Sequence, residues 1–178
     1  MIVPKLTLDI TLLETAESRE QLLSDIRHAS LFGSACLVSE EALSESQLDA
    51  LGRVVKQSSG FVNLQLQLEG LDDAPALELL NIGAAQIVAE AEQRDQFESI
   101  PDERILIYRQ SIEGASKGGQ VFVETPTVDQ LVDLEKQGID VCVDSVWLDL
   151  NPEKIVDYYC GVLPVSYTHL TLPTILLV

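Results

Sequence analysis

Leu79-Leu80-Asn81-Ile82-Gly83-Ala84-Ala85-Gln86-Ile87-Val88-Ala89-Glu90 closes an apolar stretch of helical spacing, turns on a glycine and enters a short apolar run. The same order returns at Leu131-Val132-Asp133-Leu134-Glu135-Lys136-Gln137-Gly138-Ile139-Asp140-Val141-Cys142-Val143-Asp144. Glycine ends helices because it adopts left-handed geometry without a Cβ penalty. A run that is apolar on both faces suits a strand covered on both sides. Gly33 before Ala35-Cys36-Leu37-Val38 and Gly60 before Phe61 repeat the junction. Helix, glycine stop and strand, recurring roughly every 25–30 residues, is the pattern of a parallel βαβ series.

Working outward, strands are expected at 2–10, 35–38, 61–68, 87–88, 104–108, 121–123 and 141–143. Ser18 with Gln21 offers a capping box for a helix reaching His28. Ser46 opens the next helix, with Leu48, Leu51, Val54 and Val55 on one face. Asp72 or Asp73 caps a third, carrying Pro75 early, where its missing N–H costs little. A short helix is expected near 91–99, another from Thr125-Pro126 to Gly138, and a last one from Asn151-Pro152 through Cys160. Seven strands of this kind, with an eighth expected beyond Pro164, favour a parallel βα-repeat α/β domain: a truncated or degenerate (βα)-barrel rather than an open doubly wound sheet. Residues 111–119 show no helical pattern, which is the reason to expect degeneracy.

The end of the chain reads differently. Val165-Ser166-Tyr167-Thr168-His169-Leu170-Thr171-Leu172-Pro173-Thr174 resembles the translated read-through of a transposon-end sequencing adapter. The domain is therefore taken as 1–164 and the segment 165–178 as a non-native tail, excluded from fold reasoning. A natural β-rich terminus is the alternative, since Leu, Thr, Val, Tyr and Ile form strands well. Without the tail, His28 is the sole histidine, and the net charge of −18 belongs to 1–164.

Composition bounds the function. Twenty-nine acids against eleven bases disfavour nucleic acid and anionic membranes, where affinity comes from Lys and Arg against phosphate. No apolar run approaches the ~18 residues of a membrane helix. Met1-Ile2-Val3-Pro4-Lys5 carries no secretory pattern and reads as a true start. Cys36, Cys142 and Cys160 fit no zinc or Cys-x-x-Cys spacing, and an odd count points to a reducing, cytoplasmic compartment.

Three features invite a search for chemistry. The Gly-rich stretch 111–119 follows a strand, yet matches no phosphate-loop motif and reads as a flexible connection. His28 sits near a helix end without a second histidine to build a metal site. Asp9, Glu40, Glu69, Glu90, Glu124 and Asp144 each follow an apolar run, where barrel enzymes carry acids and bases. Strand ends also need polar caps, and with so many acids in the chain that reading is preferred.

Met1-Ile2-Val3-Pro4-Lys5-Leu6-Thr7-Leu8, Leu79-Leu80-Asn81-Ile82-Gly83-Ala84 and Ile100-Pro101-Asp102-Glu103-Arg104-Ile105 together resemble the N-terminal region of the fungal-type histidine biosynthesis trifunctional protein. Val156-Asp157-Tyr158-Tyr159-Cys160-Gly161-Val162-Leu163 is similar to the segment just before that family's cyclohydrolase module. The family joins phosphoribosyl-AMP cyclohydrolase, phosphoribosyl-ATP pyrophosphatase and histidinol dehydrogenase in one chain, behind a reduced barrel-like region. The resemblance implies a non-catalytic leading domain whose partners are the downstream catalytic modules. It brings no catalytic, cofactor-binding or metal-binding residue into this stretch, and no cofactor; oligomeric state is left open. The alternatives are a free-standing (βα)-barrel enzyme acting on a sugar phosphate, with Asp9 and Asp144 as acid–base groups, and an interaction scaffold.

Overall fold

A computed structural model of the chain describes residues 1–162. Seven parallel strands close into a barrel in the order of the sequence. They are β1 (Ile2–Thr7), β2 (Ser34–Ser39), β3 (Asn63–Leu68), β4 (Gln86–Ala89), β5 (Ile105–Arg109), β6 (Gln120–Phe122) and β7 (Asp140–Asp144). The helices are α1 (Ala16–Ala29), α2 (Glu45–Ser58), α3 (Asp73–Ile82), α4 (Val128–Lys136), α5 (Ser145–Leu150) and α6 (Pro152–Val162). The α/β barrel expected from the glycine junctions is the fold that forms.

Its closure differs from expectation. β7 pairs directly with β1, Val3 opposite Cys142 and Lys5 opposite Asp144, so the barrel closes on seven strands without the expected eighth. The degeneracy lies in the helices. After β4 come only two 3₁₀ segments, Ala91–Gln96 and Asp102–Arg104. After β5, residues 111–119 run to β6 without a helix. The adapter-like tail 165–178, His169 and the proposed end at Pro164 lie outside the described residues.

Alternation of side chains builds two layers of packing. Leu37, Leu64, Leu66 and Ile87 point outward and pack with Ile26, Leu51, Val54 and Leu79 from α1, α2 and α3. Val121, Val141 and Val143 meet Leu131 and Leu134 of α4, with Leu148 and Tyr158 completing that cluster. The alternate positions, Val3, Cys36, Val38, Val88, Leu106, Tyr108 and Cys142, form a separate inner cluster against Phe122. Cys36 and Cys142, each inside an apolar run of the sequence, are thus buried small hydrophobes, while Cys160 is exposed.

Several boundaries move by a few residues for a common reason. α1 is capped by Thr15 with Ser18 in a reciprocal box, three residues before the expected Ser18–Gln21 pair. α2 is capped by Ser44 rather than Ser46, because Gln47 stands three residues beyond Ser44 and reaches back to its N–H. Thr127 caps α4 with Gln130 in the same way, beyond Thr125. β1 stops at Thr7, short of residue 10, because Asp9 caps a 3₁₀ turn over Ile10–Leu13. α6 continues past Gly161 to Val162. α5 is not anticipated at all: it begins immediately after β7, capped by Asp144, with no glycine between.

Candidate functional site at the barrel mouth

Parallel barrels place their chemistry at the C-terminal ends of the strands. The six carboxylates picked out in the sequence are all there, but they stand around the rim rather than in a cluster. Glu40, Glu69, Glu90 and Glu124 are exposed, as is Asp9. Three of the six serve as local caps. Thr11 donates to Asp9 through its backbone N–H at 2.9 Å and its hydroxyl at 2.7 Å. These two bonds, the hydroxyl's first, hold the Asp9 carboxyl below its ordinary value, since both favour the charged form. The Val146 N–H donates to Asp144 Oδ1 at 2.8 Å, and Glu90 forms a capping box with Gln93. Carboxylates used this way are positioned for helix starts, not for sharing a proton with one another.

Sequence reasoning missed one inward-facing charge. Lys5 lies on the inner face of β1, in register with Cys36 on one side and Asp144 on the other. Its ammonium stands 4.5 Å from the centroid of the Phe122 ring. A cation over a ring face gains about 0.5–1 kcal/mol, more as water is excluded. Among the described residues Lys5 forms no ion pair. The signal was available: β1 alternates Val3, Lys5 and Thr7 against Ile2, Pro4 and Leu6, which puts the lysine on the face opposite the helix-packed residues.

The inner face carries other polar groups among its apolar side chains, most of them buried. The Tyr108 hydroxyl is pushed well above its ordinary value, chiefly by burial and then by Cys142, Cys36 and Glu90. The Cys142 thiol is likewise raised, first by the Cys36 thiol beside it and then by burial, while Lys5 pulls the other way. A thiol held protonated is a poor nucleophile and a poor metal ligand, because the thiolate does that work. Gln65 and Gln120 are 3% and 1% exposed. Gln65 Nε2 donates to Gln86 Oε1 at 3.4 Å. Gln65 Oε1 and both polar atoms of the Gln120 carboxamide make no hydrogen bond among the described residues.

The remaining candidates sit elsewhere. In the 111–119 loop, Gly118 N–H donates to the Gly138 carbonyl and Gly119 N–H to that of Ser116, so these amides are spent within the fold rather than gathered around an anion. His28 is exposed on the last turn of α1, as its position predicted, and faces the outer side of the barrel. Among the described residues no three His, Cys, Asp or Glu side chains group to hold a metal ion. No helix there is long and apolar enough to cross a membrane. Compared with known proteins, the sequence matches no family model and no curated protein.

Proposed function

We propose that this chain is the leading, non-catalytic barrel domain of a multifunctional histidine-biosynthesis enzyme, partnered by catalytic modules of the same polypeptide. The observation that carries the non-catalytic part of the reading is the use of Asp9, Glu90 and Asp144 as caps, which ties three of the six strand-end acids to the rim. The resemblance of residues 1–8, 79–84 and 100–105 to that family's N-terminal region points the same way. A reducing, cytoplasmic setting agrees with three free cysteines, one of them exposed. The test is the genomic sequence past codon 164. Continuation into a cyclohydrolase module is the expected result, and a stop codon there overturns the proposal.

Lys5 favours a second reading, a barrel enzyme acting on a sugar phosphate, because it supplies a cation on the inner face of the mouth. That reading requires turnover of a sugar phosphate that Lys5→Met abolishes and Asp9→Asn lowers. The exposed Val146, Leu150 and Val156 on α5 and α6 favour an interaction scaffold instead. Recovery of a defined partner lost on Leu150→Glu is its test.

A further inference from the structure

The helical layer around the barrel is uneven at the seam where the first and last strands meet. α1 packs on α2, α2 on α3, and α4 on α6. At the seam the covering helix is α5, only 6 residues long, lying over β1 and β7. Between α1 and α5 a cleft of about 220 Å³ remains. Pro4 and Leu6, from the outer face of β1, line it together with Leu22 of α1 and Leu148 of α5. Asp25 and His28 of α1 and Asp149 of α5 line it as well, so carboxylates come from both walls.

We propose that this cleft binds a small organic cation, an apolar body carrying a primary ammonium. The apolar residues accept the body, and the Asp25 and Asp149 carboxylates accept the ammonium. Gln21 Nε2 donates to Asp25 Oδ1 at 3.0 Å, which holds that carboxylate in place at the cleft and leaves its second oxygen without a partner among the described residues. The choice of charge follows from the field: with a net charge of −18 the chain attracts cations and repels anions. The choice of size follows from the volume, which lies below the roughly 300–1,000 Å³ of sites for drug-sized molecules. The ligand is therefore of fragment size, bound with a Kd on the order of millimolar. The cleft lies on the outside of the barrel, and Asp25 and Asp149 take no part in the function proposed above, so it stands or falls independently of that reading.

The experiment is a titration of the 178-residue chain, ¹⁵N-labelled, with 2-phenylethylamine, 2-phenylethanol and phenylacetate. The amine is expected to produce saturable amide shifts centred on Leu6, Leu22 and Leu148. The alcohol binds the same place about five-fold more weakly, the worth of one partly exposed ion pair, and the acid more weakly still. The paired substitutions Asp25→Asn and Asp149→Asn bring the amine down to the alcohol's affinity, while Glu98→Gln, distant from the cleft, leaves it unchanged. Retained dispersion of the variants' spectra confirms that they fold. Equal affinity for amine and alcohol in the unsubstituted chain, shifts scattered over the acidic surface, or no saturable shift each overturn the proposal.

Discussion

Gly83 ends α3 with φ 137° and ψ 0°, a conformation that side-chain-bearing residues avoid. A Cβ placed there would stand 2.6 Å from Ser59 Cβ, at the end of α2. Gly83→Ala therefore carries both backbone strain and a clash, and about 1–3 kcal/mol of stability should be lost, read as a lower urea midpoint. Gln120 is the opposite case. Its buried carboxamide has only the Cys142 thiol, a weak partner, beside it and is a liability of up to about 1–3 kcal/mol, so Gln120→Met is expected to raise the urea midpoint; a fall instead would mean that the carboxamide is satisfied in solution. Tyr158 sets a pH dependence. Burial first, and the nearby Glu135 second, push its hydroxyl above the ordinary value, and that hydroxyl donates to Glu135 Oε2 at 3.1 Å. The unfolded chain ionises its tyrosines near pH ~10, while the native state holds this proton. The contribution is complete below pH ~10 and is lost as pH rises toward the folded value. Tyr158→Phe should flatten the decline of stability above pH ~10 relative to the parent, at a small cost near pH 8 from the lost hydrogen bond. Parallel stability–pH curves for the two proteins would contradict this.

At the scale of elements, the sequence is most legible where a helix, a glycine and a two-sided apolar strand follow one another. α3 to β4 and α4 to β7 are such places, and each forms close to its expected bounds. Legibility fails where no glycine marks the change. α5 begins on the residue after β7, and its Val146 and Trp147 read as strand formers. Asp144 makes it helical by capping Val146, a use of an acid that the sequence offers equally as catalysis. Lys5 is overlooked for a related reason: one charge in a strand is read as exposure unless the inner and outer faces of a barrel are counted separately. The 111–119 connection is the weakest element on every criterion: it is nearly all exposed, it lacks a helix, and it leads to a strand of 3 residues. Its Lys117 is exposed between Ser116 and Gly118. Among the described residues trypsin is expected to cut first after Lys117, since exposed Gly-rich tips are preferred nicking sites. Mass spectrometry of a brief digest identifies the first fragment pair, and initial cleavage within α2, at Arg53 or Lys56, would contradict the assignment.

For the whole molecule, the consequential feature is that seven strands close where eight were expected. Along a parallel strand successive N–H groups point alternately to the two neighbours. In an open sheet the first and last strands would each leave one of those sets unpaired, facing solvent and inviting association. Here β1 has β2 on one side and β7 on the other, with Ile2, Val3, Pro4 and Lys5 in register against 141–144. The Val141 N–H donates to the Met1 carbonyl at 2.9 Å, extending the seam by one more residue. The Met1 ammonium pairs with Glu135 and Asp140, which ties the chain's first residue to α4 and β7. Closure thus removes the edge that a truncated barrel would expose. Hydrogen exchange distinguishes the two architectures residue by residue. In the closed barrel, the amides of β1 and β7 all exchange slowly, at rates close to those of β2 and β3, because opening them requires unfolding the whole domain; Pro4 alone in β1 has no N–H to exchange. In an open one, every second amide of β1 exchanges at nearly the rate of an unstructured chain. The closed form also predicts where protection is lowest among the strands: at β6, the shortest at 3 residues, which follows the helix-free 111–119 connection and joins β5 by two register pairs, Tyr108 with Gln120 and Arg109 with Val121. Fast exchange confined to β6 and its preceding loop, with β1 and β7 protected throughout, is the expected pattern; an alternating pattern along β1 would show that the seam is open in solution.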